Sequence, residues 1–293
     1  MRMAFIGLGE AAGAILSGWG PEQVRGVRTF DIKSEAPETA GEIAERAARL
    51  GVTACAKRAE ALEGAEVVFC TVTADQAGAA ASACAPLLAP GALWCDLNSC
   101  APQTKVASAG IITAAGARYL DVAVMAPVYP KRNMVPCLLS GPEAAEVAPL
   151  LADLPMAVRV VGDAVGRASS VKMVRSVLVK GMEALTAECV LAAVLAGVEE
   201  EVFPSMKTAH PNMDVPARAA YNFERTLVHG QRRAAEMDEV AKMLAGMGLP
   251  NVLSVATAEW QRKLSSSGVT LQEGEEPDHR WFAEAYLRSW GLR

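Results

Sequence analysis

The stretch "FIGLGEAAGAI", residues 5–15, constrains this chain more than any other. The residues leading into it, "RMAFIGLG", are apolar without alternation and read as a short buried strand. The next residues, "EAAGAILSGW", are rich in alanine and read as a helix. Strand, glycine turn and helix in that order is the context in which a GxGxxG-like spacing holds a pyrophosphate. Gly7 permits the tight turn, and Gly9 lets the backbone approach the phosphates. Ala12 stands where a third glycine would be, and its methyl still allows close helix–strand packing. Leu8, Glu10 and Ala11 complete the turn, with the Glu10 charge directed away from the ligand. The start of the helix offers unpaired N–H groups to the phosphates. The plain alternative is a tight turn that holds nothing.

The next expected strand, "VRTFDIK" at 27–33, carries Asp31 some 22 residues after Gly9. An acid there accepts hydrogen bonds from the adenosine ribose diol and repels a 2′-phosphate, so the expected cofactor is NAD. Lys33, two positions on, keeps NADP open as a second possibility. Strand and helix patterns then alternate to about residue 160. "AEVVFCTVTADQ", "ALWCDLNS", "ARYLDVAVMAP" and "VPCLLSG" read as further strands. This alternation predicts an α/β fold of the Rossmann type, a doubly wound parallel sheet. Ligands in such sheets sit beyond the carboxyl ends of strands, which nominates Thr71, Val72, Thr73, Asn98 and Ser99 as cofactor contacts. Local capping is the competing role for each of them.

Composition narrows the function classes. Hydrophobic residues make up 52% and charged residues 21%, as in a soluble globular protein. Basic and acidic residues number 13 and 17 in 1–163, and 15 and 16 in the remainder. Neither half has the basic surplus that nucleic acid would select. The seven cysteines show no CxxC pair and no metal-ligand spacing, so no metal is expected, and reduced buried thiols point to a cytoplasmic setting. No secretory leader or membrane span is read from the pattern.

Character changes near Gly162. Residues 167–196 have helical period, no proline and an unusually apolar composition, and residues 198–293 are rich in helix formers. The expected organisation is a dinucleotide-binding domain over 1–163 and an all-helical domain over 164–293. A helix that apolar needs cover, which predicts a homodimer or higher oligomer. Along it Ser169, Lys172, Ser176 and Lys180 recur at three- and four-residue steps and share a face. A lysine emerging from an apolar helix either snorkels to water or, desolvated, serves as a general acid or base.

"GLGEAA" at 7–12, "DLNS" at 96–99, "DVAVMAP" at 121–127 and "GRASSVKMVRS" at 166–176 together resemble the β-hydroxyacid dehydrogenase and 6-phosphogluconate dehydrogenase superfamily. Its members open with GLGxMG, carry DxST after a later strand, then D-x-P-V-S-G-G, and end with G-x-G-x-x-x-K-x-x-x-N on a long helix. The chain looks like the divergent branch whose C-terminal domain is labelled as being of unknown function. The resemblance implies an NAD(P)-dependent dehydrogenase acting on CH–OH groups. It carries the general acid/base onto Lys172 and the family's amide onto Ser176, a departure. The substrate-gripping Ser-Gly-Gly falls on Met125, Ala126 and Pro127. Without those glycines the chain cannot hold a carboxylate by the same backbone amides, since proline has no N–H. Lys131 and Arg132 in "YPKRN" are the candidate replacement cations for a small-molecule substrate. The resembled family also brings a lysine into its cleft from the region of "LVHGQRRAAEMDE", which implies His229 and Arg233 as further substrate candidates. An imine-type reductase on the same scaffold and a dinucleotide-binding sensor without turnover remain as alternative readings.

Overall fold

The structure is a computed structural model that describes residues 1–209, 211–212, 214–272 and 274–293. It divides into two compact units, Met1–Met173 and Val174–Arg293. The first unit runs β1 (Met3–Ile6), α1 (Glu10–Gly18), α2 (Pro21–Val24), β2 (Arg28–Phe30), α3 (Pro37–Leu50), β3 (Thr53–Ala54), α4 (Arg58–Leu62), β4 (Val67–Cys70), α5 (Ala77–Cys84), β5 (Leu93–Asp96), α6 (Pro102–Ala114), β6 (Arg118–Val124), β7 (Cys137–Ser140), α7 (Ala144–Asp153) and β8 (Val158–Gly162). It closes on the first residues of α8 (Arg167–Ala196).

The eight strands form one sheet in the order β3-β2-β1-β4-β5-β6-β7-β8. Period-two alternation explains why both faces are buried. Met3 and Phe5, Val67 and Phe69, Leu93 and Cys95 pack on one face with α1, α3 and α7. Ala4 and Ile6, Val68 and Cys70, and Trp94 pack on the other with α4, α5 and α6. On the first face Phe5 stacks on Phe69 at 4.8 Å, and Trp19 meets both rings edge-on.

Two features depart from an all-parallel sheet. β7 runs antiparallel to β6, because residues 125–136 contain no α-helix to carry the chain back across the sheet. β8, a partly exposed edge strand, extends the sheet where the sequence pattern suggested only a change of character. The boundary between units falls after Met173, inside α8, because Asp121 and Ser140 of the sheet hold the first residues of that helix by hydrogen bonds.

The second unit is helical: the rest of α8, then α9 (Glu199–Ala209), α10 (Val215–Gly246), α11 (Val252–Ser265) and α12 (His279–Ser289). Its core includes Val190, Val194, Phe203, Phe223, Leu264, Phe282 and Tyr286. Gly230 lets α10 touch α11, since a Cβ there would lie 2.6 Å from the Gln261 carbonyl oxygen.

Candidate active site

One line across the sheet organises the site. Ile6, Cys70 and Asp96, the last residues of β1, β4 and β5, stand in register, and Asp121, Ser140 and Gly162 continue the line. The turns after β1, β4 and β5, and the start of α8 after β8, therefore emerge at one edge.

The glycine turn is built as its sequence requires. Gly7 has φ 91°, and a Cβ there would lie 2.8 Å from the Thr71 carbonyl oxygen. Only glycine fits. The Thr71 hydroxyl donates to the Gly7 carbonyl at 2.8 Å, so Thr71 braces the turn. Gly9 caps α1 with no side-chain hydrogen bond, and a Cβ on it would meet nothing within 4 Å. Open space thus faces the unshared N–H groups of the first turn. Ala12 is fully buried against the sheet, while Glu10 is exposed. Ala11 is partly buried and packs beside the same core.

Asp31 directly follows β2. Its Oδ2 accepts from the Leu8 N–H at 2.7 Å and its Oδ1 from the Lys33 N–H at 3.0 Å. Each oxygen retains a lone pair for a hydroxyl donor. Lys33 itself is exposed. A residue the sequence reading missed, Arg46 on α3, donates to the Leu8 carbonyl at 2.8 Å and pairs with Glu42. Ile32, 64% exposed, offers an apolar surface beside Asp31.

The other strand-end candidates divide by burial. Val72 is half-buried and Thr73 exposed. Asn98 is 4% exposed, and its amide donates to Asp96 Oδ1 at 2.7 Å and to Cys70 Sγ at 3.3 Å. It holds the turn together rather than presenting a side chain. Ser99 is half-buried, and its hydroxyl accepts a hydrogen bond from the Lys172 ammonium. Two residues nominated separately, 73 positions apart, meet here.

Behind them lies a buried polar network absent from the sequence reading. Asp121 Oδ2 accepts from the N–H groups of Gly166 and Ser169 and from the Ser140 hydroxyl, each at 3.1 Å. Its Oδ1 accepts from the Ser169 hydroxyl at 2.7 Å. Ser140 Oγ in turn accepts from the Ala168 N–H at 2.9 Å. A carboxylate from β6 thereby caps a 30-residue helix, where the helix dipole favours negative charge. Ser169 is used in this cap. Lys105 Nζ pairs with Asp96 at 2.9 Å and Asp121 at 3.5 Å, and the Tyr119 hydroxyl donates to Asp96 at 2.6 Å. The clue available in the sequence was a lysine three residues after the helix-starting Pro102, on an otherwise uncharged helix.

The residues nominated for substrate fall in both units. Met125 and Ala126 are half-buried and Pro127 is exposed. Met125 lines an open, mainly apolar hollow of about 420 Å³ with Pro136, Cys137, Leu138, Ala157, Val158, Arg159 and Val171. Lys131 and Arg132 are exposed on a turn whose Asn133 presses on Gly18, at the end of α1 remote from the glycine turn. Ser176, His229 and Arg233 belong to the helical unit. Ser176 is buried. Arg233 is also buried and forms an ion pair with Glu183, with Gln261 at 3.4 Å. Its charge is paired within the helical unit. Beside it Lys180 pairs with Glu236, and burial still pulls the Lys180 ammonium below its ordinary value. His279 opens α12 and packs edge-on against Phe203, and His210 lies outside the described residues.

Comparison with known proteins finds a match in each unit. Residues 1–122 match the ornithine cyclodeaminase/mu-crystallin family, and residues 193–264 match a domain of unknown function, DUF1932. A conserved hypothetical protein from Sinorhizobium meliloti 1021 is 36% identical over 99% of this chain and 96% of its own, with a TM-score of 0.75. The conserved protein MTH1747, whose structure is described as similar to 3-hydroxyacid dehydrogenases, is 29% identical over 90% of this chain and 96% of its own, with a TM-score of 0.66. The 3-hydroxyisobutyrate dehydrogenase of Mycobacterium tuberculosis, solved with L-serine, shares the fold at a TM-score of 0.69 and 18% identity, over 97% of this chain and 99% of its own. With the glycine turn, the eight-stranded sheet and the helical C-terminal unit in place, the chain belongs to the β-hydroxyacid dehydrogenase-like family whose C-terminal domain is of the DUF1932 type.

Proposed function

We propose that this chain is a nicotinamide-dependent oxidoreductase that moves a hydride between the cofactor and the carbinol carbon of a small hydroxy acid or related alcohol. The observation that carries the reading is the pairing of Lys172 with Ser99 at the edge where the glycine turn also emerges. The residues at that edge fit a dinucleotide. The first-turn N–H groups of α1 face open space for the pyrophosphate, and Asp31 has lone pairs for the ribose diol. Nicotinamide, when bound, supplies the hydride acceptor or donor. Lys172 takes the proton from the substrate hydroxyl in oxidation and returns it to the oxygen in reduction. Ser99 orients the Lys172 amine.

The reading is tested by supplying NAD with hydroxy acids, sugar acids and aryl alcohols in turn and following NADH absorbance. A substrate that produces NADH supports it, and dinucleotide binding with no turnover on any class favours a sensor.

Asp31 supports NAD over NADP, although an imine reductase from Myxococcus stipitatus with this fold, at a TM-score of 0.54 and 16% identity, was solved with NADP⁺. Titrating both cofactors into the wild type and Gly9→Ala decides both points. NAD should bind the wild type more tightly. Gly9 has φ −82°, which alanine adopts freely, so Gly9→Ala should keep its melting temperature. Its methyl would enter the space kept for the pyrophosphate and weaken binding about tenfold or more. Tighter NADP binding overturns the Asp31 assignment, and unchanged affinity in Gly9→Ala overturns the cradle.

The assembly we propose is a homodimer or higher oligomer. On α8, Val174, Leu178 and Leu185 are 57%, 69% and 62% exposed at helical spacing. A second copy is the occupant expected for such a stripe. Light scattering at micromolar concentration should give at least twice the chain mass, and a stable monomer rejects the oligomer.

A further inference from the structure

Lys105 has no part in the proton transfer assigned to Lys172, yet it is 0% exposed. A buried ammonium is costly unless it is paired. Lys105 Nζ lies 2.9 Å from Asp96 Oδ1 and 3.5 Å from Asp121 Oδ1, and it donates to the Asp96 carbonyl at 2.7 Å. Burial pulls its pKa down, but Asp96 and Asp121 outweigh that and hold the ammonium above its ordinary value. It is a fixed cation.

One acid would satisfy one lysine. Here the lysine joins two acids, and each leads to a different half of the candidate site. Asp96 Oδ1 accepts from the backbone and side chain of Asn98, at 3.0 and 2.7 Å, and so shapes the turn that ends at Ser99. Asp121 accepts from Gly166 and Ser169 at the start of α8, one turn before Lys172. We propose that Lys105 is a positioning residue whose simultaneous pairing with Asp96 and Asp121 sets Ser99 against Lys172. Without the ammonium the two buried carboxylates face each other uncompensated, and one must protonate or move. Each route loosens a segment that carries half of the Ser99–Lys172 pair. The inference rests on the assignment of that pair to the active site.

The test needs neither cofactor nor substrate, so its outcome is separable from that of the catalytic reading. Amide hydrogen exchange is measured for wild type, Lys105→Met and Lys105→Gln, and Lys172 is acetylated with trace acetic anhydride across pH, with exposed Lys207 as reference. In either variant the amides of Asn98, Gly166 and Ser169 should lose about tenfold or more protection beyond the change at the central-strand amide of Val68. The pH midpoint of Lys172 acetylation should move by about half a unit or more. Ser169→Ala, which leaves Lys105 in place, should loosen the α8 amides and spare Asn98. Uniform loss of protection with an unmoved Lys172 midpoint would make Lys105 a general stabiliser and overturn the proposal. Should neither Lys105 variant fold, the wild type decides: the three amides should open as one unit, with a common opening free energy and denaturant dependence. Independent opening overturns the proposal.

Discussion

Lys172→Ala should lower kcat by about 10²–10⁴ on any alcohol the protein oxidises, the usual worth of a positioned acid–base group. The fold and nicotinamide affinity should stay close to wild type, within about threefold in Kd, because the cradle we propose consists of Gly7, Gly9 and Asp31 and not of α8. The loss should fall on kcat and kcat/KM together, as for an interaction made in the transition state. Lys172→Arg separates charge from proton exchange. Arginine keeps a cation able to donate to Ser99, but it does not release a proton near neutral pH. It should therefore lose activity nearly as completely as alanine. Ser99→Ala should cost less, since it removes the partner and leaves the amine. Turnover by Lys172→Ala within threefold of wild type would make the lysine a structural residue and end the mechanism.

Features were legible in the sequence where the physics that fixes them is local. The glycine turn was readable because Gly7 answers a backbone requirement, a positive φ pressed against the Thr71 carbonyl, that no other residue meets. The long helix was readable because period and the absence of proline fix it without tertiary help, and α8 spans the 167–196 expected. The antiparallel β7 was not read, although the helix-free, proline-bearing connection before it held the signal. The Asp121 network was hidden for a different reason. Its members come from β5, α6, β6, β7 and α8, and nothing in "DVAVMAP" says that the aspartate faces a helix end 45 residues away. Lys131 and Arg132 were nominated for their charge and their place after the loop at 125–127, and Arg233 because the resembled family brings a lysine from that region to its substrate. Charge gives no indication of whether a cation is solvated, as the first two are, or already paired, as Arg233 is with Glu183.

Asp121→Ala should be among the most destabilising single changes in the sheet unit, at about 3–5 kcal/mol. Asp121 is fully buried and accepts four hydrogen bonds, from Ser140, Gly166 and, twice, Ser169, besides its ion pair with Lys105. Alanine removes the acceptors and leaves the donors in place. The Gly166 and Ser169 N–H groups at the start of α8 would be buried without partners, and each such group costs about 1–3 kcal/mol. Lys105 would retain Asp96 and lose its second acid. Asp121→Asn tests the same contacts more gently, because one amide oxygen still accepts while the –NH₂ opposes donors. It should fall between wild type and alanine. Against the total of about 5–15 kcal/mol typical of a folded domain, the alanine loss is a large fraction. Two compact units need not unfold together, so the measurement is urea unfolding combined with amide exchange resolved by residue. The sheet-unit transition should move to lower urea, with the earliest loss of protection at 166–169. Asp75→Ala on the exposed surface serves as control and should stay within about 0.5 kcal/mol. If Asp121→Ala unfolds within about 1 kcal/mol of wild type, solvent reaches the vacated donors, and the start of α8 is not held by this carboxylate.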